Sequence, residues 1–189
     1  MVIESLKKFI QNHNSPEVNF EIGMAYYRVK HYSSAVTYFH RAAELSNDPL
    51  LEYKCMVLCA NALYHRGDRS HQVKGFALHA ISILPKRPEA WFVYTRILEI
   101  KCEWQECYAM SCSALISCDF NDDSFECSEY PGKYGIMFEK AVSSWNIGRL
   151  KECIDTFEFM QENYDMYEGY RNLVKSNLTN LRLIYEKTQ

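Results

Sequence analysis

The sequence has little glycine or proline, no long hydrophobic run and no marked excess of charge of one sign. Only 7 glycines and 5 prolines occur in 189 residues, which leaves few turn-forming residues for an all-β fold. No apolar run approaches the roughly 18 residues of a membrane-spanning helix. With 21 Lys and Arg against 24 Asp and Glu, the net charge is -3. We therefore predict neither a membrane partner nor a nucleic-acid partner.

Cysteine, by contrast, is plentiful, with 8 residues in the chain. Their spacing contains no Cys-x-x-Cys pair. The first residues do not read as a secretion signal, because Glu4, Lys7 and Lys8 interrupt the apolar stretch that such a signal needs. Disulfides are rare in reducing compartments. We therefore predict free thiols and a cytoplasmic location.

Sequence motifs of common enzyme classes are missing as well. The chain has no phosphate-binding glycine loop, dinucleotide fingerprint, nucleophile elbow or zinc-protease motif. Cys102, Cys107 and Cys112 recur every fifth residue, which turns a helix by about 500° per step and does not align metal ligands. His65 and His71 would be the alternative ligands. We predict no metal, no cofactor and no catalytic residue, with a helical enzyme of unrecognised site as one alternative.

An acidic segment, residues 118–133, interrupts the otherwise helical pattern. Its start resembles a calcium-binding loop, but Ser124 stands where that loop needs glycine and Tyr130 where it needs a bidentate glutamate. We predict a solvated inserted loop. Its acidic residues are Asp119, Asp122, Asp123, Glu126 and Glu129.

Apolar residues recur at helical spacing over most of the chain, and residues 18–29 show the pattern clearly. Helix starts are marked at Ser15-Pro16 and Asp48-Pro49, where a capping side chain precedes a first-turn proline. Gly67 and Gly148 stand where helices should end. The pattern predicts an all-α fold of about ten helices.

One arrangement of small and aromatic residues occurs in four copies, which follow one another at shifts of about 38, 34 and 46 residues, that is, 34 residues plus longer linkers. The first copy consists of Gly23, Tyr26, Tyr32, Ala35, Phe39 and Ala42. This set resembles a tetratricopeptide repeat (TPR). The resemblance implies one helical-repeat domain, residues 1–189, in which antiparallel helix pairs stack into a solenoid. The predicted parts are a leading helix 2–13, units 16–49, 54–87, 88–121 and 134–167, and a closing helix 168–187.

In such a solenoid the first helix of each pair lines the concave face, which is the usual place to bind a peptide. Hydrophobic residues and arginines occupy equivalent positions on these helices. They suit a protein or peptide ligand with apolar and acidic side chains. The alternative is that the aromatic residues form the core between units. The predicted groove residues are Phe20, Met24, Tyr27, Arg28, Leu58, His65, Arg66, Phe92, Arg96, Phe138 and Trp145.

A second resemblance covers residues 87–145. Pro88-Glu89-Ala90-Trp91 and Tyr130-Pro131-Gly132, with Trp104 and Trp145, are similar to helical-repeat segments that accompany glycosyltransferase domains in some phage, viral and microbial polypeptides. Those segments are non-catalytic. The resemblance implies a protein-interaction scaffold that is an accessory domain of a glycosyltransferase. The alternative is part of a sugar-transfer enzyme whose catalytic domain lies outside this chain, with the repeats helping to hold the acceptor.

Overall fold

The computed structural model describes residues 2–67, 70–121 and 124–188, and within them it contains ten helices and no strand. This confirms the predicted all-α fold. Asp122 and Asp123 lie outside the described residues. The helices are α1 (Val2–Gln11), α2 (Pro16–Arg28), α3 (Tyr32–Leu45), α4 (Pro49–Arg66), α5 (Ser70–Ile83), α6 (Pro88–Ile100), α7 (Trp104–Ser117), α8 (Lys133–Asn146), α9 (Leu150–Asn163) and α10 (Glu168–Thr188).

The helices pack mainly against their neighbours in sequence, as a stacked array requires. The pairs are α2 with α3, α4 with α5, α6 with α7, and α8 with α9. First helices of successive pairs also touch, α4 with α6 and α6 with α8, while α10 packs on α9. The first helices α4, α6 and α8 therefore form a continuous inner layer, and the second helices lie outside it.

Local signals in the sequence set the starts of α2 and α4 and the end of α4. The Ser15 hydroxyl accepts a hydrogen bond from the Val18 amide at 3.1 Å, and the Asp48 carboxylate accepts one from the Leu50 amide at 2.9 Å. Because Asp48 caps α4, that helix begins at Pro49, ahead of the start predicted for unit 54–87. Gly67 ends α4 with a φ of 77°, a left-handed conformation that favours glycine.

Small residues set the distance between paired helices. Ala35 on α3 is fully buried, and so are Cys107 and Cys153 at the equivalent positions of α7 and α9. Gly23 faces an aromatic ring instead, since a Cβ added there would lie 2.5 Å from Cδ1 of Phe39. Phe39 thus fills the space that Gly23 leaves, as large side chains do in close-packed helix pairs.

Candidate functional site

Part of the predicted solvated loop is instead packed against the inner layer of helices. Residues 125–130, which we call the groove segment, contact α2, α4 and α6, the first helices of three successive pairs. Ser128 is only 2% exposed and the Glu129 side chain only 26%. The prediction of a solvated loop is therefore wrong for this part of 118–133, because side chains of three helices bind it.

Glu129 is the most strongly held residue of the groove segment. The Tyr27 hydroxyl donates to its Oε1 at 2.6 Å, and Nε2 of His65 lies 2.5 Å from the same oxygen. Nη1 of Arg96 lies 3.5 Å from Oε2. Burial, followed by the hydrogen bond to Glu129, raises the pKa of Tyr27 well above its ordinary value, so its hydroxyl stays protonated and donates. Groups on α2, α4 and α6 thus converge on one carboxylate.

The backbone of the groove segment is also held by a side chain. The buried Asn61 amide, on α4, donates to the carbonyl oxygens of Cys127 at 3.3 Å and Ser128 at 2.9 Å. Asn61 is not among the predicted groove residues. The signal was present, because an asparagine inside the apolar stretch of a buried helix must find hydrogen-bond partners.

Aromatic contacts fix both ends of the groove segment. The Phe125 ring meets the edge of Tyr53 with a centroid separation of 6.3 Å, and the Tyr130 ring meets Phe92 at 5.8 Å. Between them, Glu126 forms an ion pair with Arg28 at 2.8 Å. Both partners of that pair are substantially exposed, so it contributes little to stability. The anchors are therefore the two aromatic ends, Glu129, and the backbone carbonyls that Asn61 binds.

Two residues of the groove segment have an unfavourable backbone conformation. Cys127 has a φ of 62° and Glu129 a φ of 59°. A non-glycine residue held in this left-handed region costs on the order of 1 kcal/mol or more. The contacts with the helices must offset that cost, so the bound conformation depends on the groove.

The predicted groove residues lie at several different sites in the structure. Four of them contact acids of the groove segment, and Phe92 contacts its aromatic end. Leu58 is fully buried in the core, and Met24 is nearly so. Met24 still lines a small cavity beside Arg28 and Glu126. Phe20 is half-buried against Phe39. The four that contact acids are Tyr27, Arg28, His65 and Arg96.

The other three predicted residues lie elsewhere. Nη1 of Arg66 donates to the Ser33 hydroxyl on α3 at 3.0 Å. Phe138 and Trp145, both on α8, line a cavity against α9 and α10. Their role in binding a ligand stays a prediction, as does the role of the groove contacts.

All eight cysteines are free thiols, as predicted. Within residues 2–67, 70–121 and 124–188, no three His, Cys, Asp or Glu side chains cluster as metal ligands would. In the same part of the chain no helix combines the length and apolar character needed to cross a bilayer. The cytoplasmic location stays a prediction.

Comparison with known proteins shows the fold alone. No protein-family model and no curated protein sequence matches this chain. MamA has a similar structure, with a TM-score of 0.69, 12% identity and 85% of each chain covered. TTC0263, a thermophilic TPR protein of Thermus thermophilus, is similar with a TM-score of 0.59 and 14% sequence identity, over 96% of this chain and 89% of that one. Yeast Tom70 is similar with a TM-score of 0.51 and 13% sequence identity, over 98% of this chain and 43% of that one. The architecture is TPR-like.

Proposed function

We propose that this chain is a non-catalytic protein-interaction scaffold whose groove binds an extended peptide segment with apolar and acidic side chains. The chain's own groove segment carries the proposal, since it is such a peptide and lies on the first helices. Glu129 contacts three helices at once, and aromatic rings hold Phe125 and Tyr130. A partner with the same chemistry would use the same contacts.

The groove segment would then compete with that partner. A covalently attached ligand has an effective concentration in the millimolar range when its linker is short. The partner must therefore bind more tightly than the segment, or the segment must be released first. The strained backbone at Cys127 and Glu129 favours release, because the freed residues regain ordinary φ values.

A peptide titration tests this proposal. The probe is a labelled synthetic peptide with the sequence of residues 124–131 and a Cys127→Ser change. In the protein, Glu129→Gln weakens the attached segment, so the peptide should bind this variant at least about tenfold more tightly than the wild type. Asp155→Asn, which removes an exposed acid on α9, should bind the peptide as the wild type does.

A second peptide, with glutamine in place of Glu129, shows whether the carboxylate matters. It should bind the Glu129→Gln protein about tenfold more weakly than the acidic peptide. Hydrogen exchange of the Glu129→Gln protein reports whether the groove segment is released. If the segment is released and neither peptide binds, or both bind equally, the proposed groove function is wrong.

A glycosyltransferase domain is the class of partner that the sequence resemblance indicates. The resemblance over residues 87–145 supports it, and these residues span α6, α7 and α8 beside the groove segment. The test is a pull-down with wild-type and Glu129→Gln protein, read by mass spectrometry. Recovery of a glycosyltransferase that increases with Glu129→Gln supports this partner. Recovery of other proteins only would contradict it. The alternative, part of a sugar-transfer enzyme, is tested by the reading frame around this chain, which should then continue into an α/β catalytic domain.

A further inference from the structure

The cavity lined by Phe138 and Trp145 has a volume of about 540 Å³ and lies between α6, α8, α9 and α10. It adjoins the end of the groove segment, because Leu173 also lines a neighbouring cavity with Glu129 and Tyr130. It has an aromatic and aliphatic wall, two carboxylic acids and two amides. Neither lysine nor arginine lines it among the residues that the structure describes. The lining residues are Glu99, Phe138, Glu139, Val142, Trp145, Cys153, Phe157, Leu173, Asn177, Asn180, Leu181 and Ile184.

Glu139 of α8 is the unusual residue of this cavity. It is only 4% exposed, and its Oε2 atom has no hydrogen-bond partner among the described residues. Burial, and then the nearby charge of Glu99, raises the pKa of Glu139 to about 8. A buried carboxyl group without a partner is destabilising in its charged form, because nothing replaces the water it has lost. Arg96 on α6 lowers the pKa of Glu139 in part, but it does not line the cavity, so the site favours an added positive charge.

The opening of the cavity is apolar and accessible. Trp145, Leu173 and Ile184 are 36%, 52% and 39% exposed, and all three belong to the lining. Large hydrophobic side chains that group at a cavity mouth indicate a contact surface rather than scattered surface positions. An aliphatic chain passing them would be desolvated before its end reached the carboxyl groups.

We propose that this cavity binds a lysine or arginine side chain of a partner protein. The aliphatic stem packs on Leu173 and Ile184, and the cationic end reaches Glu139 and Glu99. Long basic side chains combine an apolar stem with a charged end in this way. Trp145 adds a ring face of the kind that attracts cations. This site is additional to the groove and has the opposite charge preference.

The affinity should depend on pH, because the charged form of Glu139 binds the cation. Other ionisable groups face or adjoin Glu139: Arg96 and Glu99 on α6, Cys107 on α7, Cys153 on α9 and Tyr170 on α10. Burial raises the pKa of Glu99, and burial keeps Cys107, Cys153 and Tyr170 neutral by raising theirs. Cation binding should therefore strengthen from pH 6.5 to pH 9, by up to about thirtyfold, as the charged fraction of Glu139 rises.

The experiment is a titration with Nα-acetyl-lysine-N-methylamide, followed by the indole N–H signal of Trp145 in NMR spectra. Trp145→Phe assigns that signal. The matched neutral probe is the norleucine analogue, which has the aliphatic stem without the ammonium group. The lysine probe should shift the signal saturably at pH 9, and the norleucine probe should bind at least about tenfold more weakly.

Two protein variants locate the charge. Glu139→Gln should weaken lysine-probe binding at least about tenfold, and Glu99→Gln should weaken it about threefold. Glu162→Gln, an exposed acid on α9, removes the same charge and should leave binding unchanged. If Glu139→Gln did not fold, the lysine-probe affinity of Glu99→Gln would still test whether the carboxyl groups bind the cation. Equal binding of the two probes, no saturable shift, or wild-type affinity in both cavity variants would overturn the proposal.

Discussion

The hydroxyl of Tyr27 lies 2.6 Å from the Glu129 carboxylate, although the two residues are 102 positions apart in the sequence. This hydrogen bond joins the first helix pair to a segment that follows the third pair. His65 shares the same carboxylate oxygen. Together with the contacts to α4 and α6, this hydrogen bond holds the groove segment against the first helices of three pairs. The groove and the segment that occupies it are therefore parts of one folded unit.

The Tyr27–Glu129 bond should contribute measurably to stability. Tyr27→Phe removes the donor to a charged acceptor and should lower the free energy of unfolding by about 1–3 kcal/mol. A double-mutant cycle with Glu129→Gln should give a coupling energy of the same sign and order. Denaturant titration measures each variant. Tyr26→Phe is the control, and should change stability by less than about 0.5 kcal/mol. A cycle without coupling would contradict the role of this bond.

The helix spacing around Ala35 should not tolerate a larger side chain. Ala35 is fully buried between paired helices, so Ala35→Leu overpacks the contact and should cost about 1–3 kcal/mol in unfolding free energy. The same change at exposed Ala109 on α7 should cost less than about 0.5 kcal/mol. Chemical denaturation measures both variants. Equal stability of the two would show that the repeat alignment is wrong.

The buried Glu139 should make the protein less stable as the pH rises. Its pKa of about 8 in the folded state lies above its ordinary value of 4.5, so between these values the folded state holds a proton that the unfolded state has lost. The proton on Glu139 therefore stabilises the folded state fully below pH 4.5. This part of the free energy of unfolding is lost as the pH rises from 4.5 to 8, at up to about 1.4 kcal/mol per pH unit. Denaturation from pH 5 to 9 measures this loss.

Glu139→Gln should flatten that profile, because glutamine keeps the shape of the protonated acid and cannot ionise. Glu162→Gln should keep the wild-type slope, since Glu162 is exposed. The difference between the two variants isolates Glu139 from the histidines and from Glu99. Parallel profiles for wild type and Glu139→Gln would show that Glu139 does not carry the proton.

The thiols should differ widely in reactivity. Cys102 is exposed and should react first with a thiol reagent, while burial raises the pKa of Cys107 to about 12 and of Cys153 to about 11. Because the thiolate is the reactive form, those two should be labelled only after unfolding. Timed alkylation without reductant, read by mass spectrometry, gives the order. A native disulfide, or early labelling of Cys107, would contradict the structure.

The sequence by itself determined the helices and their stacking. Capping residues such as Ser15 and Asp48 act within one turn, and helical periodicity is a local property, so both can be read along the chain. Small residues at Ala35, Cys107 and Cys153 mark equivalent contacts because the repeat places them alike. The same periodicity indicated which side chains share the inner layer, and therefore found Tyr27, His65 and Arg96.

Only the tertiary structure decided what those side chains bind. Residues 125–130 have no periodic pattern, so their sequence does not define their path, and contact with Tyr27 requires three helix pairs to be stacked first. The division of the predicted groove residues has the same origin, since the stacking buries Leu58 and places Trp145 at another cavity. In the sequence, Glu139 looks like an ordinary acidic residue of a helix. Only the packing of other helices around α8 buries its carboxyl group and excludes water from it.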